Sequence, residues 1–101
     1  MIVVMNVVRA VEGRAADFEE AFLTRERLLK QAEGFRGFEL LRRDKDAEYV
    51  VLTRWESKQA FRDWVHSDLF KRSHSRDRAE GQLAHGNELR IYDVLDVEVP
   101  A

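Results

Sequence analysis

The feature that most constrains the fold is the first apolar run, Ile2 to Val8, which is nearly continuous in β-branched side chains. A run of this length and composition is typical of a β-strand that is buried on both faces. Alternate side chains of a strand point to opposite faces, which gives two apolar sets: Val3, Met5 and Val7 on one face, and Ile2, Val4 and Val8 on the other. Both faces of the sheet that contains this strand must therefore be covered.

The next segments alternate between helical and strand periodicity. The spacing of apolar residues predicts a helix over Ala15 to Glu33, with Gly34 ending it. Phe35 to Arg43 and Tyr49 to Trp55 are predicted strands, and the short polar segment between them favours an antiparallel hairpin.

The second half of the chain is predicted to contain two short helices and a final strand. Ser57 is a candidate N-cap for the first helix, and Ser67-Asp68 is a second cap-like pair, so we expect a bend at Ser67. The polar stretch from Ser75 to Asn87 has the composition of an ordered loop or a mobile lid, and Leu89 to Val97 is the predicted last strand.

The predicted order, β-α-β-β-α-β, is the α+β ferredoxin-like arrangement with an antiparallel sheet. Helices cover one face of such a sheet, so the second apolar face of the first strand needs another cover. A second copy of the chain, packed sheet against sheet, is the economical solution, and we expect a homodimer.

Composition limits the function classes. The 101 residues suffice for one domain, residues 1–101, and the net charge of −2 gives no footprint for nucleic acid. With no cysteine, disulfide, thiolate and iron–sulfur chemistry are excluded. Neither a secretory leader nor an apolar run of membrane-spanning length is evident, so we expect a cytoplasmic protein with no membrane partner.

Two polar residues interrupt apolar patterns. Asn6 shares a strand face with Ile2 and Val4, where it either pairs with a neighbouring backbone group or directs a hydrogen-bond donor into a pocket. Arg25 lies on the apolar stripe of the first predicted helix, where it either forms an ion pair with a glutamate or binds an anionic ligand group.

Trp64 and His74 are the other candidates. Trp64 shares a helix face with Phe61, and periodicity alone favours a core position for it. No histidine pair has the i, i+4 spacing of a helical zinc site, but a single imidazole, such as His74, is enough to ligate haem iron. The bend at Ser67 could direct Trp64 and His74 toward one cavity.

A longer motif covers these residues. The segment from Trp55 to His74, WESKQAFRDWVHSDLFKRSH, resembles the W-x-S-x-x-A-F-x-x-W…S-x-x-F-K-x-x-H segment of the IsdG-type haem-degrading monooxygenases, within the antibiotic biosynthesis monooxygenase superfamily. The resemblance extends to Asn6, to Phe22-Leu23-Thr24-Arg25 and to Gly34-Phe35-Arg36-Gly37-Phe38. It implies a dimeric α+β barrel built from ferredoxin-like domains.

The resemblance also implies a catalytic set and roles for its members. His74 corresponds to the proximal iron ligand, Asn6 to a hydrogen-bond donor toward dioxygen at the iron, and Trp64 to a wedge that ruffles the porphyrin. Arg25 would face a haem propionate, whereas a basic residue often found just before Phe22 is Ala21 here. Haem would be both cofactor and substrate, and no other metal is implied.

The implied reaction is cleavage of the macrocycle by O2 and an electron donor, releasing iron and a linear tetrapyrrole. Two other functions stay open. One is a cofactor-free monooxygenase acting on a polyphenolic or quinol-like substrate, as in some superfamily members. The other is a haem carrier or sensor that holds the cofactor without degrading it.

Overall fold

The computed structural model describes residues 1–79 and 83–101. Its elements follow the predicted order. They are β1 (Ile2–Ala10), α1 (Ala15–Leu23), a single 3₁₀ turn (Leu29–Gln31), β2 (Phe35–Arg42), β3 (Glu48–Trp55), α2 (Lys58–Val65), α3 (Asp68–Ala79) and β4 (Ala84–Asp93). The predicted α+β, βαββαβ order is confirmed.

The strands form one antiparallel sheet in the order β2-β3-β1-β4, so β1 is an inner strand, as its apolar run predicts. The hairpin between β2 and β3 is also confirmed. In β1, Asn6 lies opposite Val51 of β3 and Leu89 of β4. The helices cover the face that carries Ile2 and Val4, and the core there contains five buried residues: Ile2, Val4, Leu28, Trp55 and Trp64.

The first helix is shorter than predicted, because it ends at Leu23 and not at Glu33. Its last turn is closed by Thr24, whose backbone N–H and side-chain hydroxyl both donate to the Glu20 carbonyl oxygen, at 3.0 and 2.8 Å. The following N–H, of Arg25, bonds at the tighter i−3 spacing. Apolar periodicity continued past this point because Leu28 and Leu29 contact the core from an irregular segment, which periodicity alone cannot distinguish from a helix.

The prediction of a loop from Ser75 to Asn87 was wrong at both ends. Helix α3 continues to Ala79, because a polar composition does not by itself end a helix, and β4 already begins at Ala84. Residues 80–82, the rest of that predicted loop, lie outside the described residues.

The last strand ends at Asp93 and not at Val97. Asp93 pairs with Ile2, the first residue of β1, so the partner strand ends there. One more bond follows, from the Val94 N–H to the Met1 carbonyl oxygen at 3.0 Å. Beyond it, three apolar side chains are exposed: Leu95 at 93%, Val97 at 66% and Val99 at 73%.

The predicted helix boundaries at Ser57 and Ser67 are confirmed, whereas Gly34 does not end the first helix, which stops at Leu23. Gly34 has a φ of +82°, which favours glycine, and it follows the 3₁₀ turn. Ser57 caps α2 by accepting a bond from the Ala60 N–H at 3.1 Å. Ser67 donates to the Trp64 carbonyl oxygen at 2.6 Å and accepts from the Phe70 N–H at 3.2 Å, so one side chain joins the end of α2 to the start of α3.

In the described part of the chain, no helix is long and apolar enough to cross a membrane.

Candidate active site

A cavity of about 1060 Å³ opens on the helix-covered side of the sheet. This volume lies just above the roughly 300–1,000 Å³ that small-molecule sites occupy, so the cavity can hold a large ligand. All four strands, the three α-helices and the segment 24–30 contribute to its wall. The wall is mainly apolar and aromatic, with contributions from Val4, Phe22, Leu28, Phe35, Phe38, Val51, Phe61, Trp64, Phe70 and Leu89.

The four residues that the sequence singled out all line this one cavity: Asn6, Arg25, Trp64 and His74. They come from β1, the segment after α1, α2 and α3, which are far apart in the chain. The other two histidines, His66 and His85, do not line it, although both lie in the described part of the chain. Of the three histidines, only His74 lines this cavity, and its role as a ligand stays a prediction.

Asn6 brings a polar group to an apolar part of the wall. Its side-chain oxygen Oδ1 is buried and has no hydrogen-bond partner among the described residues. The expectation that this amide pairs with a neighbouring backbone group therefore fails for its oxygen. An unpaired buried amide is destabilising by about 1–3 kcal/mol, so a ligand that bonds to this group would recover that free energy.

His74 lies on α3 at the edge of the cavity and is exposed. Its ring packs on the Phe70 ring, with the centroids 4.1 Å apart. Nδ1 lies 2.9 Å from the Phe70 carbonyl oxygen and 2.9 Å from Ser73 Oγ. Because a carbonyl oxygen can only accept a hydrogen bond, the bond to Phe70 requires the tautomer with its proton on Nδ1, in which Nε2 is the nitrogen able to bind a metal ion.

Trp64 belongs to the core and to the cavity wall at once, so the core position favoured by periodicity is confirmed without excluding contact with a ligand. Its ring is buried, 6.2 Å from the Trp55 ring and 5.8 Å, edge-on, from the Phe70 ring. Because Phe70 contacts both Trp64 and His74, the bend at Ser67 does bring these two residues to a common neighbourhood.

Arg25 is partly buried beside the cavity. Its guanidinium lies 4.2 Å from the Phe38 ring centroid, 5.4 Å from the Phe22 ring centroid, and donates to the Phe22 carbonyl oxygen at 2.6 Å. Burial, and then the charge of Arg27, lower the pKa of Arg25. Within the part of the chain that the structure describes, no carboxylate lies within ion-pair distance of Arg25, so no ion pair with a described glutamate forms, and the anionic-ligand alternative stays a prediction.

The charged residues on the cavity wall are mostly cationic. Among the residues that the structure describes, four cations and one anion line it: Arg25, Arg27, Lys30, Arg72 and Glu26. The chain as a whole has a net charge of −2, so this cluster is a local reversal of sign that suits an anionic ligand. Ala21, where a basic residue is often found in the family, also lines the cavity, and the neighbouring cations lie further along the chain.

Sequence reasoning missed several wall residues. Phe38 supports the Arg25 guanidinium, and Phe70 orients His74. Glu26 and Arg72 form an ion pair across 46 positions of sequence. Both phenylalanines were visible inside apolar patterns, but neither periodicity nor local spacing could pair Glu26 with Arg72.

No group of three or more His, Asp or Glu side chains in the described residues could hold a metal ion. An iron ion at His74 would therefore take its other ligands from a chelating group such as a porphyrin. The residues present fit haem: a large apolar cavity, one oriented imidazole, an unpartnered amide and a cationic rim.

The sequence profile of the family described as antibiotic biosynthesis monooxygenase matches residues 1–76. The chain belongs to this monooxygenase family. Within the family, it is 36% identical to a protein of Listeria welshimeri named heme-degrading monooxygenase, over 99% of this chain and 96% of the relative. The predicted resemblance to haem-degrading family members is thus confirmed over nearly the full length.

Solved structures of the family agree with the fold. The structure of the heme degrader MhuD from Mycobacterium tuberculosis, with two hemes bound in its active site, superposes with a TM-score of 0.81 at 33% identity, covering 97% of this chain and 100% of MhuD. SnoaB, a cofactor-independent oxygenase from Streptomyces nogalater, superposes with a TM-score of 0.74 at 27% identity, covering 95% of this chain and 94% of SnoaB. Family membership alone therefore does not decide between haem-dependent and cofactor-free chemistry.

Proposed function

We propose that this chain is a haem-degrading monooxygenase that binds haem in the cavity and cleaves the porphyrin with O2 and a reductant, releasing iron. The observation that carries the proposal is the convergence of Asn6, Arg25, Trp64 and His74 on one cavity large enough for a porphyrin. The similarity to proteins named for heme degradation supports the same conclusion.

Each residue has a role that its contacts suit. His74, with Nδ1 bonded to the Phe70 carbonyl, would ligate the iron through Nε2. Asn6 would donate from Nδ2 toward the ligand, the role that the family resemblance implies, while its buried Oδ1 can only accept. Trp64, held from behind by Trp55, would press on the ring plane, and Arg25 would bind a propionate. When bound, haem supplies the iron that activates oxygen.

We also propose that residues 1–101 act as one domain and pair into a homodimer. The sheet face away from the helices carries the buried Val3 and Leu52 together with two exposed apolar side chains, Leu41 and Tyr92. The exposed tail side chains Leu95, Val97 and Val99 add apolar surface. A second copy would cover this surface. Sedimentation should find a dimer at micromolar concentration, and an 11.9 kDa species would contradict it.

The cytoplasmic location stays a prediction that cell fractionation can check.

Two alternatives have specific support. The similarity to SnoaB favours a cofactor-free monooxygenase, for which His74 would need no metal. A haem carrier would use the same cavity and His74 but would leave the porphyrin intact. A cofactor-free enzyme would not bind haem, and a carrier would bind it without degrading it, so haem binding and haem degradation distinguish both alternatives from the proposal.

The deciding experiment is titration of the purified protein with haemin, followed by ascorbate in air with catalase present. We expect a Soret shift that His74→Ala removes and His66→Ala keeps, because His66 lies outside the cavity wall. The bound Soret band should then bleach with release of chelatable iron. No Soret shift would favour cofactor-free chemistry, and a stable band under ascorbate would favour a carrier.

A further inference from the structure

The cavity rim carries an ion pair between two otherwise separate elements. Arg72 of α3 donates from Nε to Glu26 Oε1 at 3.0 Å and from Nη2 to Oε2 at 2.6 Å, while Glu26 belongs to the irregular segment after α1. Both side chains line the cavity, and both are more than half exposed, at 63% and 54%. The pair therefore joins two walls of the cavity at its solvent edge.

The pair has the geometry of a strong bond but the exposure of a weak one. A bidentate arginine–carboxylate contact is directional and charge-assisted. At exposed positions such pairs contribute little to stability, because water solvates the separated charges well. Another carboxylate that reaches the rim can therefore replace Glu26 at small cost.

Glu26 is also the only carboxylate among the described residues that line the cavity, and the other charged wall residues are cations. Without Glu26, the charged groups of the described part of the wall would all be cations. The ligand assigned under the proposed function, haem, carries two propionate carboxylates at one edge. A propionate carries the same charged group as the Glu26 side chain, so it can take the position of Glu26 beside Arg72.

We propose that Glu26 holds the place of a ligand carboxylate on Arg72, and that Arg72 exchanges Glu26 for a propionate when haem enters. Arg72 is then a residue that selects for the carboxylate edge of the porphyrin, and Glu26 competes with the ligand. This inference rests on the proposed function, since it names the group that recognises one end of the same ligand.

The exchange predicts opposite effects for the two halves of the pair. Arg72→Gln should weaken haemin binding about tenfold, equivalent to ~1.4 kcal/mol, because the propionate loses its cationic partner. Glu26→Gln should strengthen it about threefold, because the internal competitor is gone. A pair that serves only to brace the two walls would give weaker binding in both variants.

The test is Soret titration of the full-length wild type, Arg72→Gln and Glu26→Gln, with haemin and with haemin dimethyl ester in the same mild detergent. The neutral ester should bind all three proteins within about twofold, because it has no carboxylate to exchange. Arg14→Gln is the matched control, because it breaks the exposed Arg14–Asp17 pair, which lies away from the cavity wall. Thermal unfolding of each apoprotein checks that the variants are folded.

Changes of the same sign in both variants, or equal losses for haemin and its ester, would overturn the exchange and leave the proposed function standing. Absence of haemin binding by the wild type would overturn both. Opposite signs, confined to the free acid, support the exchange.

Discussion

The His74 imidazole is oriented by Phe70, one helical turn earlier, through a bond from Nδ1 to the Phe70 carbonyl oxygen and through ring packing at 4.1 Å. Phe70 in turn contacts Trp64 with its ring edge. One aromatic residue thus positions the candidate iron ligand against the candidate ring-distorting residue. Its backbone carbonyl and its ring can be tested separately.

Phe70→Leu should keep the carbonyl bond to His74 but lose both ring contacts. Aromatic pairs contribute about 0.5–1.5 kcal/mol beyond their buried area, so we expect haemin affinity to fall by roughly three- to tenfold while the protein stays folded. Soret titration measures this. Affinity equal to that of the wild type would mean that the ring does not orient the imidazole.

Asn6→Leu should separate stability from activity. Leucine is close to asparagine in shape, and it removes the buried unpaired oxygen. The apoprotein should therefore be as stable as the wild type or more stable by about 1 kcal/mol, while haem binding persists and bleaching is slow or absent. Urea unfolding and the ascorbate assay report the two effects. Unchanged bleaching would remove Asn6 from the mechanism.

Trp64→Phe and Trp64→Ala should differ in the shape of bound haem. Phenylalanine keeps a ring against Trp55 and should retain part of the activity. Alanine leaves a cavity that costs about 3–5 kcal/mol of folding stability, and it should flatten the porphyrin. Resonance Raman spectra of the haem complexes measure the distortion. The same distortion in the alanine variant and the wild type would contradict the wedge role.

Gly34→Ala should be strongly destabilising, because a Cβ would lie 2.6 Å from the Ala60 Cβ at a φ of +82°. We expect a loss of about 2–4 kcal/mol. Gly13→Ala is the control, since Gly13 has a similar φ of +78° and nothing lies within 4 Å of the point that its Cβ would occupy. Chemical unfolding of both variants isolates the effect of the contact with α2. Equal losses would show that backbone conformation alone matters.

Tyr49 should make stability depend on alkaline pH. Burial, followed by its hydrogen bond to Glu19, raises the pKa of Tyr49 from 10.0 to about 12. The folded state therefore holds this proton more tightly than the unfolded state, so the contribution is complete below pH 10 and is lost as the pH rises toward 12. The unfolding free energy of the wild type should fall more steeply over this range than that of Tyr49→Phe. Parallel curves would contradict the raised pKa.

Glu19 should make stability depend on acid pH, in contrast to the alkaline effect of Tyr49. Its hydrogen bonds from Tyr49 and Arg42 lower its pKa, so the stabilisation is present above the ordinary range of a glutamate and is lost as the pH falls through the lowered value. Glu19→Gln should reduce the fall in stability under acid. Urea unfolding between neutral and acid pH measures it, and an identical acid profile in the variant would be the contrary result.

The order of elements was predictable because strand and helix periods, Gly34 and the two serine caps are local signals. The end of α1 was not predictable, because Leu28 and Leu29 keep a helical spacing although they pack against the core from an irregular segment. The extent of β4 was not either, since it is set by the length of its partner β1 and not by its own residues.

The candidate site divides in the same way. Asn6 and Arg25 were conspicuous because each is polar at a position where the local pattern calls for an apolar residue. Trp64 and His74 depended on the family motif, since periodicity alone assigned Trp64 to the core and a single histidine gives no spacing signal. The pairing of Glu26 with Arg72 arises only when α3 folds over the segment after α1, and no local pattern encodes it.

The most direct test of the central claim is mass spectrometry of the products of the haemin complex after a single turnover with ascorbate under ¹⁸O2. We expect a linear tetrapyrrole that carries ¹⁸O, together with released iron, and we expect no product from His74→Ala and little or none from Asn6→Leu. Recovery of intact protoporphyrin from the wild-type complex, with its iron still bound, would contradict haem degradation by this chain.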